Sequence, residues 1–219
     1  VTDSPALAAP VQLLVMDVDS TFLNEEVIDL IADHAGVGAQ VADITERAMA
    51  GQLDFAASLA ERVSLLAGLP VSVLDAVRER VTLTRGAAEL VAAVQAAGGV
   101  VALVSGGFTA VIGPIAETLG ITEVHANGLE VSEGRLTGRT QGPVIDPGAK
   151  ERIFTELVTR YDCDPERTVA IGDGANDIGM IGAAGLGVAF CAKPALRAAA
   201  DVVIDTRDLA EVVRFLGTT

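Results

Sequence analysis

The sequence predicts an α/β protein: a mainly parallel sheet wrapped by crossover helices, with an all-helical piece inserted after the first strand. Three observations carry this. Residues 13–16 read LLVM and stop abruptly at polar residues, as a buried strand of a parallel sheet does. From Gly86 onward, helical and strand patterns alternate in the rhythm of β-α-β crossovers. Between these two regions, residues 24–80 show helical periodicity and no strand pattern, far too long a stretch for a loop in a compact domain. The expected division is a core formed by residues 11–22 and 85–219, with a helical cap over residues 23–84.

The elements follow in order. Residues 24–35 read as a helix, because Val27, Ile28, Ile31 and Ala32 share one face. Helices over 38–50, 54–66 and 71–80 follow, punctuated by Gly51, Gly68 and Pro70. A helix over 87–97 leads through Gly98-Gly99 to a strand over 100–104, then a helix over 110–119. Residues 129–131 and 135–140, joined around Glu133-Gly134, read as a polar hairpin. A helix over 147–161, a strand over 168–171 and a helix starting near Asn176 come next. A strand over 188–190, a helix over 194–199, a strand over 202–204 and a helix over 209–216 complete the pattern.

A chain of 219 residues can bury a large core. Half of it is apolar but only 3% aromatic, so Ala, Val, Leu and Ile must fill that core. The net charge of −15 argues against nucleic acid, whose phosphates demand a basic face. An anionic small molecule remains open, held by local cations against the overall field. Cys163 and Cys191 form neither a disulfide framework nor a zinc spacing, which fits reduced thiols and a cytoplasmic setting. With only His34 and His125, a multi-histidine metal site is excluded. The opening VTDSPALAAP is not a signal-peptide pattern, and no run reaches the length of a membrane span. The chain begins without Met.

In open α/β sheets, ligands sit beyond the carboxyl ends of the strands. The first strand ends in Asp17 and Asp19, backed by Ser20 and Thr21. Two such carboxylates call for a cation or a proton; alternatively, Asp17 caps the turn and Asp19 is solvated. The second strand ends in Ser105-Gly106-Gly107, small residues that let backbone N–H groups approach a phosphate, or simply turn geometry. The strand over 168–171 runs into Gly172-Asp173-Gly174-Ala175-Asn176-Asp177. Hard oxygens from Asp17 and Asp173 would suit Mg²⁺, while the plain reading is an Asp-Gly turn with Asn176 as a helix cap. Lys150 near a helix start, and Glu26 and Arg62 on apolar helices, would ordinarily be surface charges.

Taken together, DVDST at 17–21, SGG at 105–107, Lys150 and GDGANDIGM at 172–180 occur in order and resemble the four motifs of haloacid dehalogenase-like phosphatases. The resemblance is closer still to the phosphoserine phosphatase branch. It runs from about residue 13 to 216 and includes NEEVIDLIADHAG, AMAGQLDF, SLAERVSLLAGLP and AFCAKPALRAAADVVID.

That resemblance implies a Rossmann-like core with an inserted small helical cap, and Mg²⁺-dependent hydrolysis of O-phospho-L-serine to L-serine and phosphate, a step of serine biosynthesis. Asp17 would be the nucleophile that forms an aspartyl-phosphate, and Asp19 the general acid and then base. By resemblance, Mg²⁺ is held by carboxylate oxygens of Asp17 and Asp173 and the main-chain carbonyl of Asp19. Lys150, Ser105, Gly106, Gly107 and Asn176 would hold the phosphate side, with Asp177 orienting Lys150 or metal-bound water. Arg62 would take the substrate carboxylate, Glu26 its ammonium, and Met49 and Phe55 would close the pocket. The expected partner is a small-molecule substrate, with no nucleic acid or membrane, for a monomer or homodimer. Two departures stand out. Only about ten residues precede the first strand, which puts an amino-terminal regulatory domain in doubt, and Phe22 stands where an aliphatic residue is commoner. The rival readings are a phosphoserine:homoserine phosphotransferase, another small-metabolite phosphatase of the same superfamily, or a phospho-ligand sensor without turnover. The sensor would be expected to lack Asp17 or Asp19, and both are present.

Overall fold

Residues 13–16 do form the middle of the sheet. In the computed structural model, which describes residues 6–49 and 52–217, β1 (Leu13–Met16) is buried on both faces. Leu14 and Met16 join the apolar cluster on one side, and Leu13 and Val15 that on the other. This two-sided burial is why the strand reads as a continuous apolar run rather than an alternating one.

Among the described residues, β1 is followed by the helices α1 (Val27–Ala35), α2 (Gly38–Met49), α3 (Phe55–Ser64) and α4 (Val73–Arg78). The first begins later than its sequence pattern, because Val18–Phe22 and the residues after it make a turn instead. Gly36 ends α1 with φ +69°, the left-handed conformation that glycine adopts without a Cβ penalty. Isolated bridges Leu23↔Leu83 and Pro70↔Arg135 tie this helical stretch at its base and to the sheet's edge.

The remaining chain supplies α5 (Ala87–Ala96), β2 (Val100–Phe108), α6 (Thr109–Thr118), β3 (Glu123–Ser132), β4 (Arg135–Gln141), α7 (Pro147–Arg160), β5 (Thr168–Gly172), α8 (Ile178–Ala183), β6 (Leu186–Phe190), α9 (Pro194–Arg197) and β7 (Val202–Ile204). Among the described residues, seven strands lie in the order β4-β3-β2-β1-β5-β6-β7, parallel except for β3–β4. Among the helices of the insertion, α3 packs on β4 and α4 on α6.

Three further elements differ from their sequence patterns. β2 does not stop at Val104 but continues through Ser105-Gly106-Gly107 to Phe108. β3 is twice as involved as the hairpin pattern implies: Glu123–His125 pair parallel with β2, and Gly128–Ser132 pair antiparallel with β4. Residues Leu209–Phe215 wind as a tight 3₁₀ helix rather than an α-helix. Phe22 is fully buried in the main core cluster, so its extra bulk is accommodated.

Candidate active site

The carboxyl ends of β1, β2 and β5 and the start of α7 meet at one place. Asp17 remains in the ladder, its N–H donating to Ile171 O at 2.9 Å. Beyond it the chain reverses through Ser20 at φ +57°, a left-handed conformation unusual for serine. That reversal brings Asp19 Oδ1 to the Val27 N–H at 3.0 Å, at the start of α1, where the helix dipole favours an anion. It also lets Ser20 Oγ donate to Glu26 Oε1 at 2.8 Å.

Lys150 is the hub of the buried charge. Asp146 caps α7 by accepting from the Ala149 N–H at 2.7 Å, and Pro147 opens the helix, so Lys150 leaves the first turn facing inward. Its Nζ pairs with Asp17 Oδ1 and Asp177 Oδ1, each at 2.7 Å, with only 1% of the residue exposed. Asp177 Oδ2 in turn accepts from the Asp173 and Gly174 N–H groups at 3.2 and 3.1 Å. Gly172 makes room for this, since a Cβ there would lie 2.4 Å from the Asp177 carboxyl. Burial opposes the lysine charge, but Asp17 and Asp177 outweigh it and raise the Lys150 pKa above its ordinary value.

One lysine does not balance the carboxylates. Burial, and then the Asp177 charge, push the Asp17 carboxyl well above the usual range despite Lys150. Burial and Asp177 likewise push Asp173 up to about 6. Burial and Glu26 push Asp19 up to about 7. Carboxylate oxygens of Asp17, Asp173 and Asp177 lie within 4.8 Å of one another. A set of hard oxygens with excess negative charge fits a hard divalent cation. Asp177 has both oxygens committed, so Asp17 and Asp173 are the carboxylates free to ligate.

These groups open onto a cavity of about 210 Å³ lined by Asp17, Asp19, Glu26, Phe55, Arg62, Gly106, Asp173, Asn176 and Lys193. Glu26, Phe55 and Arg62 come from the helical insertion and face the strand ends across it. Arg62 is held by its Nε donating to Ser58 O at 3.3 Å. Burial lowers the Arg62 pKa, while Asp29, Glu26 and Asp19 oppose that shift. Gly106 lies under Phe55, whose ring would be 3.0 Å from a Cβ there, and a Cβ on Gly107 would lie 2.7 Å from Asp19 Oδ2. Ser105 is buried behind this wall, its Oγ accepting from the Gly107 N–H at 2.8 Å and donating toward Asp19 Oδ2 at 3.5 Å. The side chain of Met49 lies outside the described residues. A broader hollow of about 730 Å³ follows the outer face of α7. It is lined by that helix's own side chains, and is open surface rather than a cleft.

Sequence patterns did not point to Lys193, whose N–H donates to Asp173 O at 2.9 Å and whose side chain lines the cavity. An exposed lysine before a proline carries no local signal of such a place. Nor did they point to Ser20 as the partner of Glu26, or to the buried Asn127.

The family model for haloacid dehalogenase-like hydrolases matches residues 14–181. A phosphoserine phosphatase of Lactococcus lactis is 47% identical over 204 residues, covering 93% of this chain and 94% of that one. Two solved structures share the fold closely. One, described as a phospho-aspartyl intermediate analogue of phosphoserine phosphatase, has a TM-score of 0.88 and 45% identity and covers 94% of this chain and 99% of its own. The other, a substrate-bound phosphoserine phosphatase complex, has a TM-score of 0.88 and 44% identity, covering 94% and 98%. The chain spans about half the length of two other relatives, 51% in each case.

Proposed function

Because this chain belongs to the haloacid dehalogenase-like hydrolase family, we propose that it hydrolyses O-phospho-L-serine to L-serine and phosphate through an aspartyl-phosphate. The observation that carries this reading is one cavity in which Asp17 and Asp19 face both a cation, Arg62, and an anion, Glu26. Phosphoserine needs a nucleophile, a proton donor and one partner each for its carboxylate and ammonium. Residues 23–84 act as a cap that supplies the last two, over a core of residues 11–22 and 85–219.

The Asp17 carboxylate, oriented by Lys150 and the Val18 N–H at 2.7 Å each, attacks phosphorus while the bond to the serine oxygen breaks. Asp19, with its pKa near 7, carries the proton that the departing serine oxygen takes. The same carboxylate then removes a proton from the water that cleaves the aspartyl-phosphate and restores Asp17. Lys150 offsets charge on the phosphoryl oxygens, which Ser105, the Gly106 and Gly107 loop and Asn176 surround. Mg²⁺, held by Asp17, Asp173 and the Asp19 carbonyl, would supply the remaining charge neutralisation at phosphorus.

A phosphate-release screen over phosphorylated small metabolites, with Mg²⁺ and with a chelator, tests this reading. Phosphoserine should be the best substrate and the chelator should abolish its turnover. Preference for a phosphate ester without the amino-acid group would overturn the assignment.

The two cap charges give a sharper version. Losing one charged hydrogen-bonding partner in a closed site costs about 1.5–3 kcal/mol, roughly ten- to a hundredfold or somewhat more. Arg62→Ala should therefore lower kcat/KM for phosphoserine by about that factor and spare phosphoethanolamine, which lacks the carboxylate. Glu26→Ala should penalise both amines and spare 3-phospho-hydroxypropionate. Equal losses on all three substrates by both variants would remove the charge-recognition argument.

Cation binding should also be visible in stability. Carboxyls whose folded pKa is raised hold protons more tightly when folded, so their contribution is full below about 3.8 and is lost as pH rises. For Asp173 and Asp19 the loss completes near pH 6 and 7. A divalent cation replaces those protons. Mg²⁺ should therefore raise the Tm of the metal-free protein more at pH 8 than at pH 5. Equal shifts at both pH values, read by scanning calorimetry, would argue against binding at these carboxyls.

A further inference from the structure

We infer that Asn127 is a positioning residue for the phosphate loop: its amide fixes the Gly106 peptide, and through it aims the Ser105 hydroxyl into the site. The inference rests on the reading of Ser105–Gly107 as the phosphate-binding loop. It starts from a break in the sheet. β2 and β3 pair at Val104↔His125 and next at Phe108↔Asn127, so four steps along β2 match only two along β3. Between those pairs Ser105, Gly106 and Gly107 stand against Ala126 alone, so β2 carries two extra residues and bulges beside the cavity that Gly106 lines. A bulge leaves backbone groups without their ladder partners, and buried ones must find others.

Asn127 supplies one. It is 1% exposed, and its Nδ2 donates to Gly106 O at 2.8 Å. Its Oδ1 accepts from the Ile145 N–H at 2.9 Å. Because one partner is a backbone acceptor and the other a backbone donor, the amide has a single satisfied orientation. Gly106 C=O and the Gly107 N–H belong to the same peptide unit. Fixing that carbonyl therefore fixes the N–H that donates to Ser105 Oγ at 2.8 Å. With one lone pair engaged there, the hydroxyl donates toward Asp19 Oδ2 at 3.5 Å, and Asp19 lines the cavity. A serine aimed this way is preorganised to donate to a phosphate oxygen instead of having to choose among rotamers.

The other end of the amide matters as well. Ile145 immediately precedes Asp146, the cap of α7, and α7 carries Lys150. One buried side chain thus ties the serine side of the phosphate site to the helix that delivers its lysine. Neither neighbour of Asn127 in sequence hints at this, since its partners lie 21 and 18 residues away.

The test uses Mg²⁺-loaded protein and inorganic phosphate, measured by calorimetry, so that it does not depend on which ester is the substrate. Asn127→Asp preserves size and the acceptor for Ile145 but sets an oxygen against Gly106 O. Asn127→Ser removes the reach of the amide and covers the case in which the acid does not fold. Phosphate Kd and phosphoserine KM should rise about ten- to a hundredfold in the folded variant. The ratio of kcat/KM for phosphoserine over phosphoethanolamine should stay that of the wild type, because both esters share the phosphate. Adding Ser105→Ala to either variant should cost less than it does alone, since the hydroxyl it removes is already misaimed. Wild-type phosphate affinity in a folded variant, even one with a lowered Tm, would overturn the inference while leaving the phosphatase reading intact. A wild-type protein that binds phosphate but does not cleave phosphoserine would overturn the phosphatase reading instead.

Discussion

Asp17→Asn is expected to fold, bind Mg²⁺ weakly and release phosphate from phosphoserine at least roughly 10³-fold more slowly than wild type. The amide nitrogen's lone pair is delocalised and the oxygen carries no net charge, so neither atom attacks phosphorus effectively. The fold should tolerate the change. Lys150 keeps its 2.7 Å pair with Asp177, and the Val18 N–H can still find an amide oxygen. Burial and the Asp177 charge already disfavour the Asp17 anion, so removing it relieves repulsion in the metal-free protein. Its Tm without metal should therefore not fall by more than a few degrees. Beryllium fluoride should form a stable adduct with wild type and none with the variant. Phosphate release by Asp17→Asn within tenfold of wild type would remove the aspartyl-phosphate from the mechanism.

The parts of this site legible in the sequence were those written at strand ends. LLVM followed by Asp17 and Asp19, and the strand into Gly172-Asp173, are local contrasts between apolar and acidic residues, and both strands stand next to each other in the sheet. The bulge at Ser105–Gly107 was not legible, because Gly-Gly after an apolar run reads as the end of a strand. Its return to the ladder at Phe108 depends on β3. Likewise β3 reads as half of a hairpin because only its outer half alternates. Its inner half is defined by a neighbour, β2, contributed from elsewhere in the chain. Asn127, Lys193 and Ser20 escaped for a related reason. Each acts through partners that only the folded backbone brings near, or through a positive φ that its residue type does not announce. Glu26 and Arg62 became readable as site residues only by resemblance. Nothing in the residues around them in sequence distinguishes them from solvated charges, and it is the cavity that brings them opposite Asp19.

Asp19→Asn should separate the two proton transfers from the attack itself. Its carbonyl oxygen can still accept the Val27 N–H that wild-type Oδ1 accepts at 3.0 Å, so the turn and the start of α1 should survive. What is lost is a group that can change protonation state at neutral pH, as the pKa near 7 allows Asp19 to do. General acid and base contributions of this kind are worth about 10²- to 10⁴-fold. Phosphoserine should suffer the full loss, because a serine alkoxide cannot leave unprotonated. A nitrophenyl phosphate should not suffer it in the first step, since its leaving group is stable as an anion. The second step still lacks its base, whichever ester began the cycle. Rapid mixing of Asp19→Asn with the nitrophenyl ester should therefore give a burst of about one nitrophenolate per site, followed by slow turnover as the aspartyl-phosphate accumulates. Wild type should show a smaller burst or none. A first phase slowed for the nitrophenyl ester as much as for phosphoserine would mean that Asp19 serves the attack on phosphorus rather than the proton, and its acid role would have to be given up.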